Sequence, residues 1–170
     1  AYLSDDLLPL KTIPNTVQVS DWRGPDMTIY RLWDMQIERE EAFSNGIALL
    51  GYDLPTANVP AGATLSLTPY WRAEEQPTRN YQVYVHLVPV DSRDVVAQAD
   101  GTPAISTRPT NTWDDAGEII VGNTFSLTLP DEMGVGEYRL IMGLYNGETG
   151  ERLLTAQDDD FVLVDTIQIV

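Results

Sequence analysis

The chain has 170 residues, no cysteine, and 26 acidic against 10 basic side chains, for a formal charge of −16. Such a surface repels phosphate backbones and anionic lipid, which argues against nucleic-acid and membrane-surface partners; the lack of cysteine excludes disulfides and thiolate metal sites. A hydrophobic fraction of 43% excludes global disorder, no run reaches the about 20 apolar residues of a membrane span, and the length suffices for one self-sufficient core.

The chain opens at Ala1 with neither a methionine nor a basic and apolar leader, the start expected of a processed product or of a piece of something longer. Residues 1–15, which include Pro9 and Pro14, read as an arm or linker remnant rather than core. Residues 16–20 are a short strand candidate, and residues 27–33 alternate after a turn at 23–25. Residues 35–43 suit either a short helix or a strand; the alternation of Met35, Ile37 and Arg39 favours the strand.

From Gly46 the punctuation is regular. Residues 47–54 form a strand ending before Pro55, and a turn at 60–63 launches a second over 64–71. Residues 81–88 alternate without a break, with a short partner strand at 94–99. A long loop follows over 100–117, then a strand over 118–129 that is interrupted near Gly122 and Asn123. In residues 137–145, Tyr138, Leu140, Met142 and Leu144 face one way and Arg139, Ile141, Gly143 and Tyr145 the other, the period of a strand with one face in a core. Asn146 and Gly147 then mark a tight hairpin, and residues 161–170 are the last strand. Strands every 8–12 residues between Gly, Pro and Asn turns predict an all-β fold, an antiparallel two-sheet sandwich of immunoglobulin-like or carbohydrate-module-like type. The expected division is an N-terminal extension over 1–45, including the end of a preceding segment and packed on the sandwich, and the sandwich itself over 46–170.

Nine short motifs occur in a characteristic order: residues 46–54, 62–72, 84–87, 100–103, 109–113, 117–118, 136–140, 143–145 and 149–153. The series resembles a β-sandwich domain at the C-terminal end of large bacterial membrane glycosyltransferases of the mannosyltransferase type and of related exported proteins. The resemblance covers residues 46–170. It implies an extracytoplasmic, bacterial accessory domain, in the periplasm or at the cell surface, whose partners are a glycan or the rest of a parent membrane protein. The glycosyl-transfer chemistry would belong to the membrane-embedded part of such a parent, and no catalytic residue transfers to this chain.

The residues themselves offer little chemistry. His86 is the single histidine, so a multi-histidine metal site is excluded. It shares the outward phase of Gln82 and Tyr84, and no Gly-x-Ser-x-Gly elbow accompanies it. Glycine-rich phosphate loops are absent, and no cofactor is expected. Two acidic clusters stand out, Asp114, Asp115 and Glu118, and Asp158, Asp159 and Asp160. Solvated turns explain both; the second is the better Ca²⁺ candidate, because three adjacent acids repel one another without a counter-ion.

Aromatic side chains are the informative class. Trp71, Tyr81 and Tyr138 fall in phase with buried aliphatics and belong to the core. Trp113 should cover one end of the sandwich. Tyr70, Tyr84 and Tyr145 fall in outward phase and, with His86, Arg139 and Trp113, are the carbohydrate-binding candidates: ring faces stack on sugar C–H groups while Arg139, His86 and the phenols bond hydroxyls. If residues 81–88 and 137–145 are neighbouring strands, these side chains share one platform, unless Tyr30 and Trp33 pack across it. The expected function is a non-catalytic accessory domain that binds carbohydrate or a lipid-linked sugar; the alternative is a structural or protein-interaction domain.

Overall fold

The structure, a computed structural model, describes residues 35–170 in full and the backbone of residues 8–13 and 27–31. In the N-terminal part, β1 (Leu8–Ile13) and β2 (Met27–Arg31) pair antiparallel as a separate two-stranded sheet. A strand therefore forms where the sequence suggested only an arm. Its register slips between Pro9 and Lys11, which is where a residue without an N–H is tolerated. The strand expected over 16–20, and the packing expected of Tyr30 and Trp33, lie outside the described residues and side chains.

Two five-stranded sheets make the sandwich. In the first, β10 (Phe125–Thr128), β6 (Thr64–Ala73), β4 (Ile47–Asp53) and β3 (Ile37–Ala42) lie side by side, and β9 (Ile120–Val121) also pairs with β6. The second runs β5 (Asn58–Val59), β12 (Val162–Ile169), β11 (Gly136–Asn146), β7 (Tyr81–Pro89) and β8 (Ala97–Gly101). All pairings are antiparallel except that of β5 with β12. β3 precedes residue 46, where the sandwich was expected to begin, and is an edge strand of the first sheet. The strand favoured over 35–43 by the alternation of Met35, Ile37 and Arg39 forms with alternate residues half-buried, enough for an edge strand with one side in water.

The expected interruption near Gly122 has a visible cause. β6 is ten residues long and changes partner midway, from β10 to β9. Pro69, which has no ladder donor, sits at the change, and its carbonyl accepts the Gly122 N–H at 2.8 Å. A Cβ at Gly122 would lie 2.6 Å from that oxygen, so only glycine fits there. Asn123 then ties the strand break to the preceding loop through bonds to Thr102 and Ala104 carbonyls at 3.0 and 2.8 Å.

Inward residues of both sheets meet in one core. Leu49, Leu65, Leu67, Trp71 and Leu127 come from the first sheet, and Val83, Val85, Leu87, Leu140, Met142 and Leu144 from the second. Trp71 is wholly buried, as its phase predicted, and stacks at a tilt against Phe43 with centroids 6.5 Å apart. At one side the sheets are tied across the gap. The β11–β12 register slips beside Leu140, so β12 carries an extra residue, a bulge that takes carbonyls off the ladder. Tyr52 Oη donates to the Val164 carbonyl at 2.6 Å and Arg39 to that of Leu163 at 2.5 Å, so neither is left unpaired.

Candidate functional site

The strands expected to be neighbours are neighbours. β7 and β11 pair from Tyr138 opposite Pro89 to Asn146 opposite Tyr81. Their shared register sets Gln82 against Tyr145, Tyr84 against Gly143 and His86 against Ile141 on the outer face. From the other side β8 places Asp100 beside Tyr84 and Gln98 beside His86. Three of the six carbohydrate candidates, Tyr84, His86 and Tyr145, are thereby brought together: the Tyr84 ring lies 4.8 Å from that of His86 and 6.4 Å from that of Tyr145.

Outward phase did not mean exposure. Tyr84 is 2% exposed and His86 8%. Gly143 is the reason the Tyr84 ring can lie flat across β11, since a Cβ there would come within 2.6 Å of Tyr84 Cε1. The phenol then donates to the Asp160 carbonyl, in the segment that returns to the sheet before β12. Arg152 closes over the ring, its guanidinium 4.2 Å from the centroid, a cation–π contact whose strength rises as water is excluded. Arg152 reaches this place because its backbone bridges back to Tyr145 after the hairpin. That turn is longer than the two-residue form expected of Asn146 and Gly147: the Asn146 N–H bonds the Glu151 carbonyl at 2.8 Å, and Gly150 takes a left-handed conformation at φ 74°.

Charge completes the cluster. Asp160 accepts from Arg152 at 2.8 Å and from Arg93 at 3.2 Å, and Arg93 also lies over the Phe161 ring. Burial works to raise the Asp160 pKa, but the Arg152 hydrogen bond and both guanidinium charges outweigh it and hold the carboxyl below its usual range. His86 Nε2 stands 3.6 Å from Asp100 Oδ1; burial pulls the imidazole pKa down, against the opposing pull of Asp100. Burial pushes the Tyr84 phenol up to about 12 and, together with Asp100, raises Tyr145. Tyr145 is the half-buried ring of the group.

The remaining candidates lie elsewhere. Tyr70 is in β6 of the first sheet, 5% exposed, and its hydroxyl donates to Asp53 at 2.7 Å. The three-tyrosine platform is thus corrected: one ring belongs to the other sheet and a second is covered by its own chain. Arg139 is on the right sheet but spent on structure, donating to the Ser92 carbonyl at 2.8 Å and so holding the turn after β7. Trp113 is buried in the core cluster, its indole donating to the Arg108 carbonyl at 3.1 Å, and its ring offers no stacking surface.

Asp158, Asp159 and Asp160 do not converge either. The counter-ions that three adjacent acids require are Arg93 and Arg152, both on Asp160, whereas Asp158 and Asp159 point into water with Asp158 at φ 63°. Among the described residues no cluster of three His, Asp or Glu could hold a metal ion, and His86 has Asp100 and the Tyr84 ring as partners rather than a hydroxyl nucleophile. Arg152 and Asp100 escaped the sequence reading, and Asp160 entered it only as a Ca²⁺ candidate, because nothing local says that a hairpin return and a loop will fold over β7.

No protein-family model and no curated protein matches the sequence. Among solved structures, the fold is similar to the C-terminal domain of wzt, with a TM-score of 0.51 at 13% identity over 81% of this chain and 82% of that one. At that identity the likeness is one of fold alone: this chain is a β-sandwich of the same kind as a C-terminal domain of another protein. Among the described residues no helix is long and apolar enough to cross a membrane.

Proposed function

We propose that the chain is a non-catalytic accessory module that binds carbohydrate through the outer face of its second sheet. The observation that carries the reading is the half-exposed Tyr145 ring with the Gln82 amide opposite it on β7 and the exposed carboxylate of Asp100 on β8, beside His86. An aromatic face flanked by carboxylate and amide suits a sugar ring, which has an apolar C–H face and an equatorial belt of hydroxyls. The buried Tyr84–Arg152–Asp160 group makes that face rigid, which lowers the ordering cost of binding.

The test is a screen of the purified chain against immobilised oligosaccharides, followed by calorimetric titration of any hit. Tyr145→Ala and Asp100→Asn should each weaken binding at least tenfold while the chain stays folded, with only a small drop in melting temperature from the lost Tyr84 and His86 contacts. If no oligosaccharide binds at millimolar concentration, the carbohydrate reading is wrong. A second reading is favoured by the burial of Tyr84 and His86: the cluster is then a structural brace, and the domain contacts protein.

The ordered motifs support a parent of the membrane glycosyltransferase type, with this domain outside the cytoplasm. An alkaline phosphatase fused to the domain in the parent protein should be active; an inactive but intact fusion would place it in the cytoplasm instead.

A further inference from the structure

Where β7 begins and β11 ends, three turns enclose a polar cleft of about 460 Å³ lined by Thr78, Arg79, Asn80, Asn111, Asn146 and Glu148. That volume is in the range of pockets that hold small molecules, about 300–1,000 Å³. Its walls are fixed from beneath by Thr110, which is fully buried. The Thr110 hydroxyl donates to the Arg79 carbonyl at 2.9 Å and accepts the Tyr81 N–H at 2.9 Å, while its own N–H bonds Asn80 Oδ1 at 3.3 Å. Gln76 adds a bond to the Asn111 carbonyl at 2.7 Å. These contacts lock the turn before β7 to the 3-10 turn Thr110–Thr112, and they give the sequence motif at 109–113 a purpose that the sheet face does not.

What lines the cleft is left with bonding capacity to spare. Among the described residues, no hydrogen bond or ion pair engages the Arg79 guanidinium, the Asn111 side-chain amide or the Glu148 carboxylate. Asn146 is only 7% exposed, and its Oδ1 accepts the Glu148 N–H at 2.9 Å while its amide nitrogen has no described partner. That nitrogen is not cut off from solvent, so it can exchange a water for a ligand hydroxyl. Arg79 and Glu148 cancel in formal charge and the other lining side chains are neutral, so the cleft offers donors and acceptors without a net field. No aliphatic side chain lines it. A neutral polyol fits this chemistry; a phosphate, a lipid tail or an apolar peptide side chain does not.

The cleft also adjoins the sheet face. Asn146 directly follows Tyr145, and Asn80 lies two residues before Gln82, the cross-strand partner of Tyr145. At 3.3–3.4 Å per residue, about 7 Å of strand separates the two. We infer that this cleft is a subsite for one neutral sugar unit of a glycan whose neighbouring unit lies on Tyr145. The inference rests on the carbohydrate reading above and adds to it a second, independent set of contacts.

The experiment compares variants of the whole chain against one neutral oligosaccharide taken from the immobilised-glycan screen and against its uronic-acid counterpart. Arg79→Ala and Asn111→Ala remove side chains that hold no other part of the fold. Each should lower affinity for the neutral oligosaccharide at least tenfold with an unchanged melting temperature. If the unaltered chain binds, Tyr145→Ala abolishes binding and the two cleft variants bind as well as the parent, the cleft subsite is wrong while the sheet-face reading stands. If the uronic-acid glycan binds more tightly and only Arg79→Ala affects it, the neutral-ligand assignment is overturned. If the unaltered chain binds no glycan, the parent reading falls and the subsite with it.

Discussion

Each sheet carries one outward tyrosine set opposite a glycine: Tyr70 faces Gly51 in the first, Tyr84 faces Gly143 in the second. An aromatic ring laid across a glycine is a known way to cover exposed backbone in a sheet, and in sequence the two pairs are equivalent. In space they are not. At Gly143 the missing side chain leaves room for the Tyr84 ring, whereas at Gly51 it leaves room for backbone, because a Cβ would overlap the Ile37 carbonyl of β3. Tyr70 finds its acceptor on the adjacent strand, at Asp53; Tyr84 finds one in a distant loop, at Asp160. One pair holds an edge strand close, and the other fastens a loop and two arginines over a sheet face.

The comparison can be broken from the inside first. Trp71 follows Tyr70 in β6 but points into the core, so Trp71→Ala should cost about 3–5 kcal/mol by leaving a cavity, more than any outward substitution in either sheet. Chemical denaturation would check this, and an equal loss from Tyr84→Ala would mean that the outer cluster is a second core. Among the glycines, Gly51→Ala should cost about 3 kcal/mol or somewhat more, since backbone must move. Gly143→Ala should cost about 1–3 kcal/mol and be relieved by Tyr84→Ala, with a coupling of at least about 1 kcal/mol in a double-mutant cycle. Independent effects at 143 and 84 would refute the reading of Gly143 as space for the ring.

The asymmetry between the two pairs also marks what the sequence can tell. Period-two alternation found the core strands, because inward residues such as Leu65, Leu67 and Trp71 need only the pleat to be placed. The same pleat put Tyr84 and His86 outward correctly and still misjudged their exposure, since burial there depends on Arg152 and residues 155–161, which arrive through a turn and a coil without period. β3, with four charged residues in six, registered only through the alternation of Met35, Ile37 and Arg39, and the two-residue β5 has too little apolar pattern to register at all. The end cleft was invisible for a related reason: its lining comes from three turns, and turns are read for their shape before their side chains.

Titration should separate the two faces. The second sheet carries a His86 whose pKa is depressed from its ordinary 6.5 and an Asp160 depressed from 3.8. A depressed pKa means that the unfolded chain binds the proton more readily, so both contributions are present at neutral pH and are lost on acidification. The first limb should begin as pH falls through about 6.5 and the second below about 4. Tyr84 has the opposite sense: its phenol, raised to about 12 from 10.0, loses its contribution as pH climbs between those values. Melting curves across pH should show His86→Gln flattening the first acid limb and Tyr84→Phe weakening the alkaline one. Tyr70→Phe, on the other sheet, should leave both acid limbs in place. At neutral pH each Tyr→Phe change should cost about 1 kcal/mol, the net worth of one hydrogen bond.

The smallest expected effect concerns metal. If Asp158, Asp159 and Asp160 held Ca²⁺, a chelator would remove stabilisation equal to the ion's binding free energy at its working concentration. Both Asp160 oxygens are instead engaged by Arg93 and Arg152, and swapping two hydrogen-bonded guanidiniums for an ion would also uncover the Tyr84 ring and leave Arg152 without its partner. Excess chelator should therefore move the melting temperature by less than about 2 °C. Asp160→Asn, which weakens the arginine contacts while keeping the shape, should lower it by about 2–8 °C if the pairing is worth about 1–2 kcal/mol in a domain of this size. A drop of that size from the chelator itself, restored by added Ca²⁺, would show that the loop binds the ion and that the arginines are its stand-ins.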